Sequence, residues 1–317
     1  MKDLKTEPPP SALSALENDL LGGQLRPGWK KVAPAMWAEP LSDFVPMHWQ
    51  WKTARAGLSA AGDLIDTTLA ERRNLILVNS ANGNTYATLR TMVSAYQMIR
   101  QGEQARTHRH VPNALRLMLE GQGAYTIVNG VRYEMEPGDV LLTPGWTWHG
   151  HGSHGPGDSY WLDFLDVPFI QLVEPMFFEN HPDGYEAVRD DAVVMPFRFP
   201  WSESQVALAS QPVSNTYGRL LELESAPLAT MSLFFHQLDA GFKSAPSRTT
   251  ANQIFAAHSG KGIARIEDAE VSWEAGDVFL VPPWHRLTLE AGPDSVLFRV
   301  SDERMQKALK LLRTSDG

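Results

Sequence analysis

The stretch EQARTHRHVPNALRLMLEGQGAYTIVNG, residues 103–130, places two histidines one residue apart in front of an apolar run. A short apolar run that ends at glycines is typical of a core strand. Successive side chains of a strand point to opposite faces, so His108 and His110 share one face while Arg109 points away. Imidazoles fill a core poorly. The pair therefore predicts chemistry at the end of a β-segment.

The chain repeats the turns around this stretch. The residues that recur 139 or 138 positions later are Gly102, Gly121, Gly123, the pair Gly138-Asp139, and Pro144. A separation held over so many turn residues predicts two copies of one β-unit. Many short strands with regular turns suit a small antiparallel jelly-roll barrel, so we predict a mostly β fold with two such barrels.

Local patterns complete the division of the chain. Helix-type spacing at 10–21 and 53–75, with a Pro- and Trp-rich stretch between, predicts a mainly helical N-terminal segment. The predicted segments are 1–80 (N-terminal, mainly helical), 81–167 (first barrel), 168–225 (irregular and helical linker), 226–300 (second barrel) and 301–317 (C-terminal helix).

Composition excludes several function classes. The net charge of −9 and the pI of about 5.6 disfavour binding to a nucleic-acid backbone. The absence of cysteine excludes disulfides, thiolate metal sites and cysteine nucleophiles, and it fits a reducing cytoplasm. The sequence has no 18-residue apolar span and no export signal, so we predict a cytoplasmic protein without membrane helices.

A third histidine is predicted to join the first two. His149 follows PGDVLLTPGWTW (137–148), a turn, strand and turn that can return the chain to the same end of the barrel. Three neutral imidazoles on one side of an ion leave its other positions open, as in catalytic metal sites. The alternative is surface histidines bonded to the backbone, and the third histidine favours metal binding. His154 is interpreted as a solvated loop residue, and the histidines interpreted as structural or polar filler are His48, His181, His236, His258 and His285.

The second barrel is predicted to bind no metal. The repeat places Ser247, Thr249 and Leu287 where the first copy has its three histidines. These side chains do not form a ligand set for a transition metal.

These residues resemble the cupin superfamily. Its first motif, Gly-x5-His-x-His, is present from Gly102 to His110. Its second motif, Gly-x5-Pro-x-Gly-x2-His, runs from Gly138 to His149, with Trp146 replacing the inner glycine. Ala114 stands where many cupins have a glutamate ligand, so the resemblance implies three histidine ligands without a carboxylate.

That ligand set, with PGDVLLTPGWTWHGHG, YWLDFLDVPF and HWQWKTARAGLSAAGDLI, resembles the gentisate 1,2-dioxygenase family over most of the chain. This is a bicupin group that includes salicylate and 1-hydroxy-2-naphthoate dioxygenases. The resemblance implies one Fe(II) in the first cupin, O2 as co-substrate, and cleavage of an ortho-hydroxybenzoate between the carbons bearing carboxylate and hydroxyl. It also implies a homo-oligomer, with a tetramer suggested.

The resemblance also implies roles for further residues. Arg116 is expected to bind the substrate carboxylate, since it lies six residues after His110 on what should be the same strand and faces the same way. The other residues that match family pocket positions are Gln97, His151 and Arg72, with Trp148 and Asp163 as pocket-wall residues. His151 can orient the substrate hydroxyl or relay a proton. Whether Arg72 or Arg73 reaches the pocket is open.

Two other classes of function remain open on the sequence. Three histidines also suit a Zn(II)- or Mn(II)-dependent isomerase or hydrolase that does not use O2. A non-catalytic, ligand-binding bicupin is the other alternative. Among dioxygenase substrates, gentisate, salicylate, 5-substituted salicylates and hydroxynaphthoates are not distinguished.

Overall fold

The computed structural model of the protein describes residues 10–29, 36–66 and 72–316. The chain divides into two units, Met1–Pro40 and Leu41–Gly317. In the first unit, helix α1 spans Pro10–Gly22, and the indole of Trp29 donates a hydrogen bond of 3.3 Å to Glu17. No helix within the described ranges has the length and apolar character needed to cross a membrane.

The second unit contains the remaining helices and all the strands that the structure describes. Its helices are α2 (Trp51–Leu64), α3 (Val167–Leu172), α4 (Trp201–Ala209) and α5 (Glu303–Ala308). Its strands are β1 (Met47–Trp49), β2 (Arg73–Ile76), β3 (Val93–Ile99), β4 (Gln104–His110), β5 (Ala114–Glu120), β6 (Ala124–Val128), β7 (Val131–Met135), β8 (Val140–Thr143), β9 (His149–Ser153), β10 (Ser159–Leu165), β11 (Phe178–Asn180), β12 (Arg198–Phe199), β13 (Val213–Ser214), β14 (Gly218–Leu223), β15 (Ser232–Leu238), β16 (Arg248–Thr249), β17 (Gln253–Ser259), β18 (Lys261–Ile266), β19 (Ala269–Glu274), β20 (Val278–Val281), β21 (Leu287–Ala291), β22 (Ser295–Ser301) and β23 (Thr314–Ser315).

Two antiparallel barrels dominate the second unit. The first combines a six-stranded sheet, β12-β8-β5-β10-β3-β2, with a five-stranded sheet, β11-β4-β9-β6-β7. The second combines a seven-stranded sheet, β1-β20-β17-β22-β15-β14-β13, with a three-stranded sheet, β19-β18-β21. The predicted mostly β fold with two barrels is confirmed.

The repeat extends to backbone detail. His108 pairs with His149 across β4 and β9, and the equivalent Ser247 forms a bridge with Leu287 in the second barrel. Trp146, which replaces the motif glycine, has φ of 63°, and Trp284, 138 residues later, has φ of 64°. The left-handed region strains a bulky residue. The turn before His149 and the equivalent turn before Leu287 therefore both adopt a backbone conformation typical of glycine, with tryptophan in its place.

The two barrels exchange strands: a strand from the segment before one barrel pairs with a strand of the other barrel. Strand β1, which lies before the first barrel, pairs with β20 of the second barrel. Strand β12, which lies before the second barrel, pairs with β8 of the first barrel. Helix α2 then packs on β2 and β3 of the first barrel, and α4 packs on β14 and β15 of the second. We call the segments 47–64 and 198–209 the exchanged arms.

A buried aspartate anchors each arm in the same way. Asp277 accepts a hydrogen bond of 2.8 Å from the backbone N–H of Trp51, the first residue of α2, and lies 2.8 Å from Nε2 of His48. Asp139 accepts 2.9 Å from the N–H of Trp201, the first residue of α4, and 2.7 Å from Nε of Arg198. A carboxylate at a helix N-terminus satisfies orphan N–H groups and the helix dipole.

The interior of the second barrel is filled with side chains. Its core includes Trp273, Phe255 and Phe279, the last two stacked at 4.9 Å between ring centroids. Above this layer, His236 is fully buried and accepts a hydrogen bond of 3.1 Å from Nε of Arg299. Burial, together with the Arg299 charge, holds the pKa of His236 well below its usual range, so its imidazole is neutral.

Two predicted helices are shorter in the structure. Helix α2 ends at Leu64, and the last three residues of the predicted helix 53–75 lie in strand β2 (Arg73–Ile76) instead; residues 67–71 lie outside the described ranges. The C-terminal helix spans only Glu303–Ala308, because Thr314–Ser315 pair with β16. In both places strand pairing with the barrels overrides helical spacing.

We expect Asp277→Ala and Asp139→Ala each to lower the free energy of unfolding by about 3 kcal/mol, because each leaves a helix N-terminus and a side-chain nitrogen, of His48 or of Arg198, without its buried carboxylate partner. Urea unfolding followed by circular dichroism measures the loss. Asp268→Ala, at an exposed position, is the control and should change stability by less than about 0.5 kcal/mol. Equal losses in all three variants would contradict the anchoring role.

His236 predicts a dependence of stability on pH. Its folded pKa is lowered, so the unfolded chain takes up a proton below pH ~6.5 that the native protein does not. Native stability is therefore complete above that pH and falls as the pH drops. His236→Gln keeps an acceptor for Arg299, and the stability difference between the unaltered protein and the variant should shift by about 1.4 kcal/mol per pH unit between pH 6 and 5. If the free energies of unfolding of the two proteins instead changed with pH in the same way, a neutral His236 in the native protein would be refuted.

Candidate metal centre and active site

Three histidines lie together on two neighbouring strands of the first barrel. Strand β4 carries His108 and His110, and β9 begins with His149, directly opposite His108. Their ring centroids are 4.4, 4.8 and 5.5 Å apart, and one ligand nitrogen from each ring lies within 4.8 Å of the others. The pleat sends Arg109 to the opposite face, as predicted. The structure thus brings the three predicted ligands to one point.

Main-chain carbonyls orient all three rings. The Nδ1 of each imidazole donates to the carbonyl of the residue two positions away, namely Arg106 at 3.2 Å, Pro112 at 2.8 Å and Thr147 at 2.9 Å. Because Nδ1 carries the proton, the lone pair is on Nε2 of each ring. Metal-binding histidines are usually oriented by such a bond from the other ring nitrogen.

The donor set fits a divalent transition metal. Nε2 of His149 is buried and has no hydrogen-bond partner within the described residues, which is costly for a polar atom unless a ligand satisfies it. Three imidazoles without a carboxylate suit Zn(II), Cu(II), Fe(II) or Ni(II) and leave other coordination positions open.

Burial keeps these imidazoles neutral. Desolvation, reinforced by the charge of Arg72, lowers the pKa of His108 to about 3. Desolvation also lowers the pKa of His110 to about 4, and it holds that of His149 well below its usual range. A histidine must be deprotonated to bind metal, so all three are competent ligands at neutral pH.

Arg116 lies within the same barrel, although not on the predicted strand. The chain leaves β4 at His110, and Arg116 is on β5 in the other sheet, so the expectation of one continuous strand is wrong. Pro112 lies in the turn between the two strands and has no N–H to donate to a strand ladder. Arg116 is 2% exposed, and its Nε lies 3.2 Å from Oδ1 of Asp163. Burial lowers its pKa only to about 10, so its charge remains at neutral pH.

The guanidinium of Arg116 also sets the state of His151. Its Nη2 donates 2.9 Å to Nε2 of His151, and its Nη1 donates 2.6 Å to Oγ1 of Thr143. Accepting at Nε2 places the His151 proton on Nδ1, which is buried and has no acceptor within the described ranges. Burial and the Arg116 charge hold the pKa of His151 well below its usual range. His151 is therefore a neutral donor at Nδ1.

Three predicted substrate residues line one small cavity. Arg72, Gln97 and His151 line a narrow cavity between the two sheets of the first barrel. Gln97 is 3% exposed on β3, and Nη2 of Arg72 lies 2.8 Å from each ring nitrogen of His108. Arg72 thus joins the cavity to the histidine cluster. Trp148 and Asp163 are not among the residues that line this cavity.

Trp148 and Asp163 have other neighbours. The guanidinium of Arg109 lies 4.4 Å from the ring centroids of both Trp146 and Trp148, on the face opposite the histidines. Asp163 accepts 3.2 Å from the indole of Trp161 besides pairing with Arg116. Contact of these two residues with substrate stays a prediction.

Sequence reasoning missed one aromatic residue at the centre. Phe178 is on β11, the short linker strand that pairs with β4, and its ring stacks on His108 at 5.2 Å with 21° between planes. The local sequence around residue 178 has no strand signal, and only the pairing with β4 brings it there. The exposed phenyl ring, at 58%, borders the histidine cluster.

Comparison with known proteins supports this geometry. Residues 95–165 match the family model described as a cupin domain. Gentisate 1,2-dioxygenase 1 of Aquipseudomonas alcaligenes is 32% identical, and the match covers 92% of this chain and 92% of that protein. 5-Aminosalicylate 1,2-dioxygenase of Comamonas sp. is also 32% identical, and the match covers 95% of this chain and 89% of that protein.

Solved structures agree over the whole chain. The salicylate 1,2-dioxygenase of Pseudaminobacter salicylatoxidans matches with a TM-score of 0.88 and 29% identity, covering 98% of this chain and 99% of that one. The same enzyme as an adduct with gentisate matches with a TM-score of 0.87 and 28% identity, and the match covers 99% of this chain and 96% of that chain.

We expect His149→Ala to weaken binding of Co(II) by roughly two orders of magnitude or more, because one of three nitrogen ligands is lost. Competition with a chromophoric chelator measures the affinity, and circular dichroism checks that the fold is retained. His154→Ala is the control, since His154 is exposed and outside the cluster. Unchanged affinity in His149→Ala, or equal losses in both variants, would show that the metal binds elsewhere.

Proposed function

We propose a function for this chain from one premise: the chain belongs to the gentisate 1,2-dioxygenase family. It is accordingly an oxidoreductase, a ring-cleaving 1,2-dioxygenase of ortho-hydroxybenzoates such as gentisate or a ring-substituted salicylate. Both atoms of O2 enter the product between the carbons that bear the carboxylate and the hydroxyl, so the reaction needs no external reductant. The observation that carries this function is the cluster of His108, His110 and His149 beside the buried Arg116 and the half-buried Arg72.

We propose that these three histidines hold one Fe(II) per chain. The buried, unpartnered Nε2 of His149 and the shared orientation of the rings support this assignment. Bound iron supplies electron exchange with O2 and a positive template for the carboxylate and phenolate oxygens of the substrate, since three neutral imidazoles do not compensate its charge.

The carboxylate of the substrate needs a positive partner in a buried site. Arg72 lines the cavity and contacts His108, and Arg116 keeps its charge behind His151. We propose that the two guanidiniums share the carboxylate, with Arg72 on the cavity side. Asp163 offsets part of the Arg116 charge, which leaves the site selective for one carboxylate rather than a more highly charged anion.

His151 and Gln97 are proposed to hold the reacting oxygens. The Nδ1–H of His151 is a donor fixed by Arg116, and it is available to the substrate hydroxyl or to an oxygen atom that gains charge. The Gln97 amide, buried on the same cavity, can donate or accept. The ring is thereby oriented while bulk water is kept out.

We further propose that the enzyme is a cytoplasmic homo-oligomer, with a tetramer suggested by the family. Large apolar side chains at Leu172, Val173, Phe177 and Phe178 are exposed in the isolated chain, a pattern that marks association surfaces. Light scattering coupled to gel filtration measures the number of chains directly.

The test is O2 uptake by protein loaded anaerobically with Fe(II), using gentisate, salicylate, 5-substituted salicylates and 1-hydroxy-2-naphthoate. We expect uptake equimolar with the substrate consumed for at least one of them, with a new ring-opened chromophore. Benzoate and phenol, which each lack one of the two chelating oxygens, are the controls and should give no uptake. Iron-loaded protein that is inert toward every hydroxybenzoate, or equal activity of the Zn(II)-loaded protein, would contradict the dioxygenase assignment.

A further inference from the structure

Arg72 and Arg73, at the start of β2, have different partners. The Arg72 guanidinium reaches His108 and the cavity, whereas the Arg73 side chain is only 2% exposed and binds within the protein. Arg73 donates 2.8 Å to the carbonyl of Ile65 and pairs with the carboxylate of Glu103. Arg73 therefore ties the chain just after α2 to the turn between β3 and β4.

Glu103, in the turn before β4, is itself hydrogen-bonded to β9, the strand that carries His149 and His151. Its carboxylate accepts 2.7 Å from the backbone N–H of Arg100. Its carbonyl accepts 3.1 Å from the N–H of Ser153, two residues beyond His151 on β9. The Arg73–Glu103 pair thus connects the backbone at Arg72 to the strand of His149 and His151. Both members of the pair also border the cavity.

We propose that Arg73 and Glu103 are positioning residues, which hold the Arg72 guanidinium over the cavity where the hydroxybenzoate binds. This inference rests on the proposed function. A guanidinium can bridge a carboxylate and a carbonyl in a fixed plane, which an ammonium cannot do. Since Arg72 directly precedes Arg73, a shift of the Arg73 backbone displaces the Arg72 guanidinium from the cavity, which weakens binding of the substrate carboxylate and leaves the three histidines in place.

The experiment is a double-substitution cycle on the Fe(II) protein. Equilibrium binding of gentisate is measured anaerobically by calorimetry, and KM and kcat are measured by O2 uptake. Glu103→Gln should weaken gentisate binding and raise KM roughly tenfold, with kcat and iron content changed less than about twofold. In an Arg72→Ala background the same substitution should have less than about a twofold effect, because the positioned group is gone.

A matched control is available in a second ion pair near the site. Glu179→Gln removes the carboxylate that pairs with Arg109 on the opposite face of β4, and it should leave gentisate binding unchanged. Arg73→Lys should reproduce the loss seen with Glu103→Gln.

Equal effects of Glu103→Gln in the presence and absence of Arg72 would overturn the positioning role, since the pair would then be merely structural. No effect in either background would overturn it as well. Failure of the proposed function has a different signature: the unaltered iron-loaded protein would neither bind any of the hydroxybenzoates nor consume O2 with them, and both proposals would then be refuted.

Discussion

Four imidazoles and two guanidiniums lie close together in the first barrel, and every imidazole is neutral. Burial depresses the pKa of each imidazole, and the neighbouring charges of Arg116 and Arg72 depress it further, because a protonated ring would be a second cation at low dielectric. Neutrality fixes the tautomers through backbone carbonyls for three rings and through Arg116 for His151. Metal affinity, donor direction and tolerance for an anionic substrate all follow from that requirement.

The second barrel shows the same scaffold without the site. Where the first copy has histidines, the second has Ser247, Thr249 and Leu287, and aromatic rings fill the interior. Arg299 and His236 still form a buried guanidinium–imidazole pair there, as Arg116 and His151 do in the first barrel. Such a pair is therefore compatible with a barrel that has no histidine cluster among its described residues, and the polar pair alone does not make a metal site.

The sequence predicted features whose signal is local and periodic. Two histidines on one strand face and a third after a turn follow from the period of a strand. Arg116 was placed in the right barrel for a wrong reason, because the chain changes sheets at Pro112 and the two sheets face a common interior. The stacking of Phe178 on His108 and the anchoring of Arg73 at Glu103 depend on pairings between distant segments, so no local pattern contains them. The position of β11 beside β4 could not be derived from the composition of the linker for the same reason.

The exchanged arms have a consequence for how the chain folds during synthesis. His48 precedes its acceptor Asp277 by 229 residues, so at roughly 5–20 residues per second the ribosome delays that contact by roughly 10–50 s. The first barrel needs only residues up to its own arm at 198–209 and can close earlier. Until the second barrel is synthesised, strand β1 has no edge to pair with, and an unpaired strand in a nascent chain is open to pairing with a wrong partner.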